Sequence, residues 1–435
     1  MKSLTFKIFL FIAFMILSPV VDSLYAQCTY QNPLMEGADP FATFHEGKYY
    51  LLVTRANRIG IKSSPRLQDI GPLSEIRVWD FENTPVGGHV WAPELHYIDD
   101  NWYIYSCGQN TGLDSNPVMV EYIQERQQMF VLQSSTGDPF GPYEFDSWLM
   151  PGLGAIDETI FTHTDGKRYI IWSQFNIPGQ PQSQCLYIAE LLSPRSIGLK
   201  RVMISCPDQP WELHGWPVNE GPAVLKKNGK TFIIYSGSGY MVPEYALGYL
   251  VNSDGDLLNP DSWTKVGPVF QQDPVAGVYA TGHNSFTTSP DGTEDWMVYH
   301  ARLSTDGNLP RVTFIQKFTW NGDQPLFGKP TPPQTDFTCP SDTGWIISKR
   351  QHEMQNFVIY PNPAGDYINI EFPGHDPGGS LSVYNLLGQT MMVQDHWTDR
   401  INISGLSEGL YVLDIEAGER RYFSLFNKQA EYFRP

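Results

Sequence analysis

The sequence predicts an all-β protein, a five-bladed β-propeller followed by a small antiparallel β-sandwich. Five segments carry the first part. Each begins at a polar or aromatic residue, passes through a turn usually centred on glycine, and enters an apolar strand. The turn positions Gly47, Asp100, Gly166, Gly229 and Gly292 lie 53, 66, 63 and 63 residues apart. A repeat of that length built from short strands suits blades of one propeller better than independent domains. Composition agrees: among 435 residues, 14% are aromatic, 38 are glycine and 34 are proline, which favours strands and turns over helices. The last part rests on a separate set of β-rich runs after a proline-rich exit.

The chain opens with Lys2 and Lys7 before an apolar run, Ile8 to Val21, and then Leu24-Tyr25-Ala26. Residues 1–26 therefore read as a secretory signal peptide, too short and too interrupted by Pro19 to span a bilayer. The propeller is expected over 27–340. Its five units start at Asp39-Pro-Phe, Trp91-Ala-Pro-Glu, Ile156-Asp-Glu-Thr, Asn219-Glu-Gly-Pro and Gly282-His-Asn-Ser, and each continues into its turn and apolar strand. Lys329-Pro-Thr-Pro-Pro leads out of the array, 341–356 reads as a linker, and 357–435 forms the sandwich. Within it Tyr367–Phe372, Leu381–Tyr384, Gly409–Ile415 and Tyr422–Phe426 are strand-like, with turn signals at Gly388, Gly405 and Gly418.

Five cysteines in an exported chain predict two disulfides and one leftover thiol. Cys185 and Cys206 flank two runs that can pair antiparallel and set the cysteines opposite each other. Cys28 and Cys339 bracket the array and can staple its ends, which leaves Cys107 buried and unpaired. The formal net charge of −18 argues against a nucleic-acid partner. No stretch after residue 26 is apolar enough to span a membrane as a helix.

Equivalent points of the repeats carry Asp39, Asp157 and Glu220, and radial blades would bring these carboxylates together on the axis. Hydrolysis of a glycosidic bond needs such a set: one carboxylic acid to protonate the leaving oxygen, and one carboxylate on the opposite face to activate water or attack carbon. The two must hold different protonation states near neutral pH, so burial or a third charge has to raise one pKa. Spacing alone does not distribute the roles. Asp39 before Pro40 and Glu220 before Gly221-Pro222 also suit turn starts, and Glu158 competes with its neighbour Asp157.

Asn32-Pro-Leu with Gly37-Ala-Asp39-Pro-Phe, Trp91-Ala-Pro-Glu-Leu-His, Ile156-Asp157-Glu-Thr, Asn219-Glu220-Gly-Pro, Gly282-His283-Asn-Ser-Phe and Tyr299-His-Ala-Arg302 follow one another over about 300 residues. In that order they resemble glycoside hydrolase family 43, a family of five-bladed propellers that invert the anomeric centre. The resemblance implies Asp39 as general base, Glu220 as general acid, and Asp157 as the group that raises the pKa of Glu220 and holds it in place. It implies a general base and acid roughly 6.5–9.5 Å apart, leaving room for water. It also implies Trp91 stacking on a sugar ring, Arg302 near the sugar or the acid, and His283 close to the axis. The reaction itself needs no cofactor. A structural calcium ion beside His283 would be reached through water, because calcium prefers oxygen donors.

Gly88-His-Val-Trp-Ala-Pro-Glu-Leu-His, Trp211-Glu-Leu and Asn219-Glu-Gly-Pro-Ala-Val look most like the exo-acting α-L-arabinofuranosidase branch. The implied substrate is an arabinan or another arabinose-containing plant glycan. An endo-arabinanase, a β-xylosidase of the same family and a non-catalytic polysaccharide-binding propeller are the alternatives. At the C-terminus, Tyr360-Pro-Asn-Pro-Ala, Val383-Tyr-Asn-Leu-Leu-Gly-Gln and Ile403-Ser-Gly-Leu-Ser-Glu-Gly-Leu-Tyr-Val-Leu are similar to the sorting domain of the Bacteroidetes type IX secretion system. This implies the type IX machinery as partner, export through the periplasm, and a protein released or held at the cell surface.

Overall fold

The computed structural model describes residues 28–113, 126–175, 183–341, 358–371, 379–385, 389–396, 398–417 and 420–429. The expected signal peptide and all of the expected linker except Ser341 lie outside these residues. The described chain is all-β, as its composition predicts, with short 3₁₀ turns at Leu67–Asp69, Thr111–Leu113, Pro210–Glu212 and Pro260–Ser262.

Five antiparallel sheets follow one another. The first is Phe41–His45, Lys48–Leu52, Arg58–Ser64 and Ile76–Asp80; the second is Trp91–Ile98, Asn101–Gln109, Gln127–Ser134 and Tyr143–Trp148. The third is Ala155–Thr162, Arg168–Gln174, Cys185–Ser193 and Ser196–Ser205; the fourth is Asn219–Lys227, Lys230–Gly237, Ala246–Asn252 and Trp263–Phe270. The fifth is Tyr279–Thr288, Asp295–Arg302 and Val312–Asn321, completed by Met35–Glu36 from the chain's start. In every sheet the repeat turn joins the first two strands, and its aligned residue has a left-handed backbone: φ is 78° at Gly47, 62° at Asp100, 82° at Gly166, 79° at Gly229 and 70° at Gly292. Glycine recurs there because it adopts that conformation without a Cβ clash, and Asp is among the few residues that tolerate it.

Each sheet is buried on both faces, so its middle strands are continuously apolar and successive residues enter different cores. Ile170 and Trp172 pack towards the second sheet with Tyr103, Tyr105 and Val131. Tyr169 and Ile171 pack towards the fourth with Ile233 and Tyr235. Further cores join the first and second sheets through Leu52, Ile61, Ile104 and Phe130, and the fourth and fifth through Phe232, Tyr249, Met297 and Phe314. Tyr49 and Leu51 of the first sheet meet Trp296 and Ile315 of the fifth. The first strands of the sheets also touch in order, and that of the fifth touches that of the first.

The chain ends of this array are tied together. Met35–Glu36 pairs with Val312–Thr313, and Thr29–Tyr30 pairs with Phe337–Thr338. Cys28 and Cys339 form a disulfide beside that pair, and Cys185 joins Cys206 across the third sheet, where Leu186 is registered with Ser205. Cys107 is buried and free. All three assignments agree with the cysteine spacing.

In the C-terminal segment, Val358–Tyr360, Tyr367–Glu371 and Arg400–Asn402 form one sheet. Thr390–Gln394, Ser380–Asn385, Gly409–Ala417 and Arg420–Lys428 form another. Alternate residues from both enclose one core: Ile368 and Ile370 from the first, Leu381, Val383, Leu413 and Ile415 from the second.

The Cys28–Cys339 bond closes a loop of 311 residues, and chain entropy makes such a closure worth about 5–6 kcal/mol at most. The double variant Cys28→Ser/Cys339→Ser is expected to lower the melting temperature by roughly 5 °C. A thermal melt under non-reducing conditions checks this, with Cys185→Ser/Cys206→Ser as the short-loop comparison.

Candidate active site

The first strand of every sheet carries the same irregularity. Two residues face one on the neighbouring strand, a bulge, and the first of the two has a left-handed backbone. In the second to fifth sheets the pairs are Ala92-Pro93, Asp157-Glu158, Gly221-Pro222 and His283-Asn284. In the first sheet Asp39-Pro40 lies between the Thr54 N–H bond to the Ala38 carbonyl and the Phe41–Leu52 pair. The φ values are 52° at Asp39, 43° at Ala92, 59° at Asp157, 55° at Gly221 and 43° at His283. A bulge bends its strand and re-aims a side chain, and here it does so five times at one level of the array.

Asp39, Asp157 and His283 are thus structural equivalents. Glu220 is not: it lies one residue earlier, opposite Ser236, and Gly221 occupies the bulge position. The equivalence expected for Glu220 is corrected by one residue. Steric room explains it, since a Cβ on Gly221 would lie 3.0 Å from the ring of His283.

Asp39 is buried, which by itself raises a carboxyl pKa, but its partners prevail and hold it well below the usual carboxylate range. Arg311 Nη1 donates to Oδ1 at 2.6 Å, and Thr54 Oγ1 donates to Oδ2 at 2.7 Å. His283 Nδ1 lies 3.3 Å from Oδ1. The Asp39 N–H donates to His300 Nδ1 at 3.1 Å, which makes that nitrogen an acceptor. Burial, and then the nearby Arg311 charge, lowers the pKa of His300 to about 3, so its imidazole is neutral. Thr54 in turn accepts from the Ala92 N–H at 2.8 Å, so the bulge of the second sheet braces the carboxylate of the first.

Glu220 is in the opposite condition. Burial raises its pKa to about 7; the Tyr245 hydroxyl, donating to Oε1 at 2.9 Å, pulls it down, and the Asp39 charge pushes it up. The ring of Tyr245 stacks on His300 at 5.6 Å, with the planes 2° apart. Asp157 is also raised to about 7, first by burial, with His283 opposing and Glu220 and Asp39 adding to the rise. Its Oδ2 accepts from the Gly221 N–H at 3.1 Å, tying it to the residue after Glu220. Glu158 is fully buried, and burial pushes its carboxyl well above the ordinary value.

His283 Nδ1 also lies 3.9 Å from Asp157 Oδ2, bridging the first and third bulges. Trp91 immediately precedes the bulge of the second sheet and packs half-buried against Cys107, Ile156 and Phe175. Arg302 is buried and donates to the Leu309 carbonyl, whereas the guanidinium on Asp39 belongs to Arg311. Among the described residues no group of three or more His, Cys, Asp or Glu is placed to hold a metal ion. The carboxylates nearest His283 are engaged by Arg311, Thr54 and Gly221, while the buried Asn284 Oδ1 and Thr281 Oγ1 beside it have no hydrogen-bond partner among the described residues and are oxygen donors of the kind calcium prefers. Sequence reasoning missed Arg311, Tyr245 and Thr54, which sit outside the repeated motifs. His300 was missed as well, although it lies inside the motif Tyr299-His-Ala-Arg302.

Residues 30–325 match the family model of glycosyl hydrolases family 43, and residues 358–426 match the secretion system C-terminal sorting domain. The chain is 37% identical over 323 residues to an extracellular exo-α-(1→5)-L-arabinofuranosidase of Streptomyces avermitilis. That alignment covers 69% of this chain and 64% of the relative. It is 36% identical to α-L-arabinofuranosidase 43 of Humicola insolens, covering 70% of this chain and 64% of the relative. The chain thus spans just under two thirds of either relative's length. The crystal structure of an α-L-arabinofuranosidase from Lactobacillus brevis superposes with a TM-score of 0.64 at 34% identity, over 70% of this chain and 98% of that one.

The raised pKa of Glu220 has a stability consequence. Between its ordinary value of 4.5 and about 7 the folded protein keeps a proton that the unfolded chain releases, so stability falls as pH rises through that window. Glu220→Gln removes the titration at little cost in shape. The variant is expected to melt several degrees above the parent at pH 8 and within about 1 °C of it at pH 4.5, as read by differential scanning calorimetry.

Proposed function

The chain belongs to glycosyl hydrolase family 43, and from that membership we propose that it is an exported, inverting α-L-arabinofuranosidase releasing terminal arabinofuranose from arabinan or a related plant glycan. The five sheets are the blades of a five-bladed propeller, with its catalytic face at the level of the bulges. One observation carries the mechanism: of two buried carboxyl groups in one site, Asp39 accepts from Arg311 and Thr54, which favours its ionised form, whereas Glu220 accepts from one tyrosine hydroxyl and its pKa is raised to about 7.

Asp39 acts as general base. It takes a proton from a water molecule whose oxygen attacks the anomeric carbon from the face opposite the leaving group. Glu220 gives its proton to the glycosidic oxygen as the C1–O bond breaks. The sugar leaves with inverted anomeric configuration, Asp39 ends protonated and Glu220 ionised, and exchange with solvent resets both. Arg311 keeps Asp39 charged in a buried setting where it would otherwise take up a proton. Asp157 fixes the backbone beside Glu220 through Gly221, while the charge that adds to burial in raising the Glu220 pKa is that of Asp39. Trp91 lies at the position equivalent to Glu220 in the second sheet and is only half-buried, which supports a stacking role against the sugar. Arg302 holds the Leu309 carbonyl of the segment that leads to Arg311, and His283 orients Asp39 and Asp157.

The chain carries a secretion system C-terminal sorting domain, which supports export by the type IX pathway of a Bacteroidetes-type bacterium. The functional domains are then 27–340 for catalysis and 357–435 for sorting, joined by 341–356. No helix among the described residues is long and apolar enough to cross a membrane.

Product analysis tests the substrate. Free arabinose from debranched arabinan, without early oligomers, is the expected result. Oligomers would identify an endo-arabinanase, xylose from xylo-oligosaccharides a xylosidase, and binding without turnover a non-catalytic propeller. Asp39→Asn and Glu220→Gln are each expected to lower kcat by ~10²–10⁴ while melting cooperatively. The pH profile of kcat/KM is expected to fall on the alkaline side with a pKa near 7, the value for Glu220. Tyr245→Phe removes a hydrogen bond that favours the ionised acid, so that limb should move to higher pH.

A further inference from the structure

Three surface segments interlock beside the carboxylates, two of them belonging to the sheet that supplies Glu220. The first, around Leu213–Trp216, leads into the fourth sheet. The second, Ser238–Tyr245, joins that sheet's second and third strands, and the third, Leu303–Leu309, lies between Arg302 and Arg311 of the fifth sheet. The contacts are too close for side chains. A Cβ on Gly239 would lie 2.7 Å from the ring of Trp216, and one on Gly307 would lie 2.3 Å from the Met241 carbonyl. Backbone bonds complete the lock: Gly239 N–H to the His214 carbonyl at 2.8 Å, Tyr245 N–H to the Val242 carbonyl at 3.2 Å, and Ala280 N–H to the Pro243 carbonyl at 3.1 Å.

Two aromatic side chains stand out of this rigid rim. Trp216 is 48% exposed and Tyr240 is 38% exposed. Tyr240 is joined directly to the catalytic centre, for the guanidinium of Arg311 lies 4.6 Å from its ring centroid while the same guanidinium bonds Asp39. The segment that carries Tyr240 ends at Tyr245, which bonds Glu220. A buried, ion-paired arginine fixes one side of the tyrosine, so its exposed part is presented without conformational freedom.

Chemistry says what this rim faces. A general acid must reach the leaving oxygen, so the departing part of the glycan lies on the Glu220 side of the cleaved bond. The segments nearest that side are those attached to the sheet of Glu220. Sugar rings present C–H faces that pack on aromatic rings, and Trp and Tyr supply such platforms with one polar end left to water.

We propose that Trp216 and Tyr240 form the binding platform for the leaving saccharide, contacting the sugar next to the scissile bond on the Glu220 side. The assignment rests on the arabinofuranosidase reading. It makes the enzyme prefer glycan leaving groups through stacking, independently of how the terminal arabinose is held.

The test compares two substrates in the full chain. One is an α-1,5-linked arabinotriose, which has a leaving saccharide, and the other is α-L-arabinofuranosyl fluoride, which has none. Trp216→Ala is expected to lower kcat/KM on the triose about tenfold, mainly through KM, with a clearly smaller loss on the fluoride. Trp216→Phe should restore most of the triose activity. Tyr240→Ala should show the same split, with some added loss on both substrates because Arg311 loses its stacking partner. Equal losses on triose and fluoride, or no loss on the triose, would overturn the platform while leaving the enzyme's assignment intact. A wild-type enzyme that cleaves neither substrate would overturn the arabinofuranosidase reading and the platform with it.

Discussion

The centre of this protein depends on one constraint: a two-residue bulge, entered through a left-handed residue, at the start of each sheet's first strand. Such a backbone costs a non-glycine residue of order 1 kcal/mol or more, and four of the five positions bear it. The ladder on either side of each bulge and the cores between sheets hold it in place. What the strain achieves is direction. Asp39, Asp157 and His283 leave their strands at equivalent points, and His283 comes within ion-pair distance of both carboxyl groups. The two remaining bulges are filled by Ala92 and by Gly221, the latter small because His283 occupies the space its side chain would need.

Electrostatics then divides carboxyl groups that share one buried setting. Desolvation would neutralise all of them. Asp39 escapes because Arg311 and Thr54 donate to its two oxygens and His300, kept neutral by burial, accepts from its backbone N–H. Glu220 has a single hydroxyl donor, too little to offset burial and the Asp39 charge, so its pKa stays near 7. The difference between Asp39 and Glu220 therefore lies in their neighbours and not in the type of carboxylate. Arg311 is the decisive neighbour, and it reaches Asp39 from 272 residues away in the chain.

The same economy extends outward. Tyr245 bonds Glu220 and stacks on His300, which meets Asp39, so one ring links the two carboxyl groups. Glu212, wholly buried, accepts from Asn219, Tyr235 and Lys265 and so anchors the strand just before Glu220. Trp211 beside it lies against Gly237, Gly248 and Gly267, where a Cβ would approach its ring to 2.4–2.6 Å. These glycines explain why the Trp211-Glu-Leu motif reads so clearly: the cradle and the carboxylate hub position one segment.

The all-β class, the repeat and its turns, both disulfides and the meeting of Asp39, Asp157 and Glu220 in one place were legible in the sequence, because each depends on local chemistry or on residue spacing. A left-handed turn demands glycine or Asp, an apolar strand buried on both faces shows no alternation, and paired strands set Cys185 against Cys206. Tertiary structure alone decided the rest. The one-residue offset of Glu220 arises from a bulge, which inserts a residue without changing the motif around it. Arg311, Tyr245 and Thr54 become part of the site only because separate sheets place them there, and nothing in their own sequence neighbourhood marks them. Arg302 carried the stronger motif, yet Arg311 reaches Asp39, since the side chain that meets a buried charge is selected by distance in the folded chain.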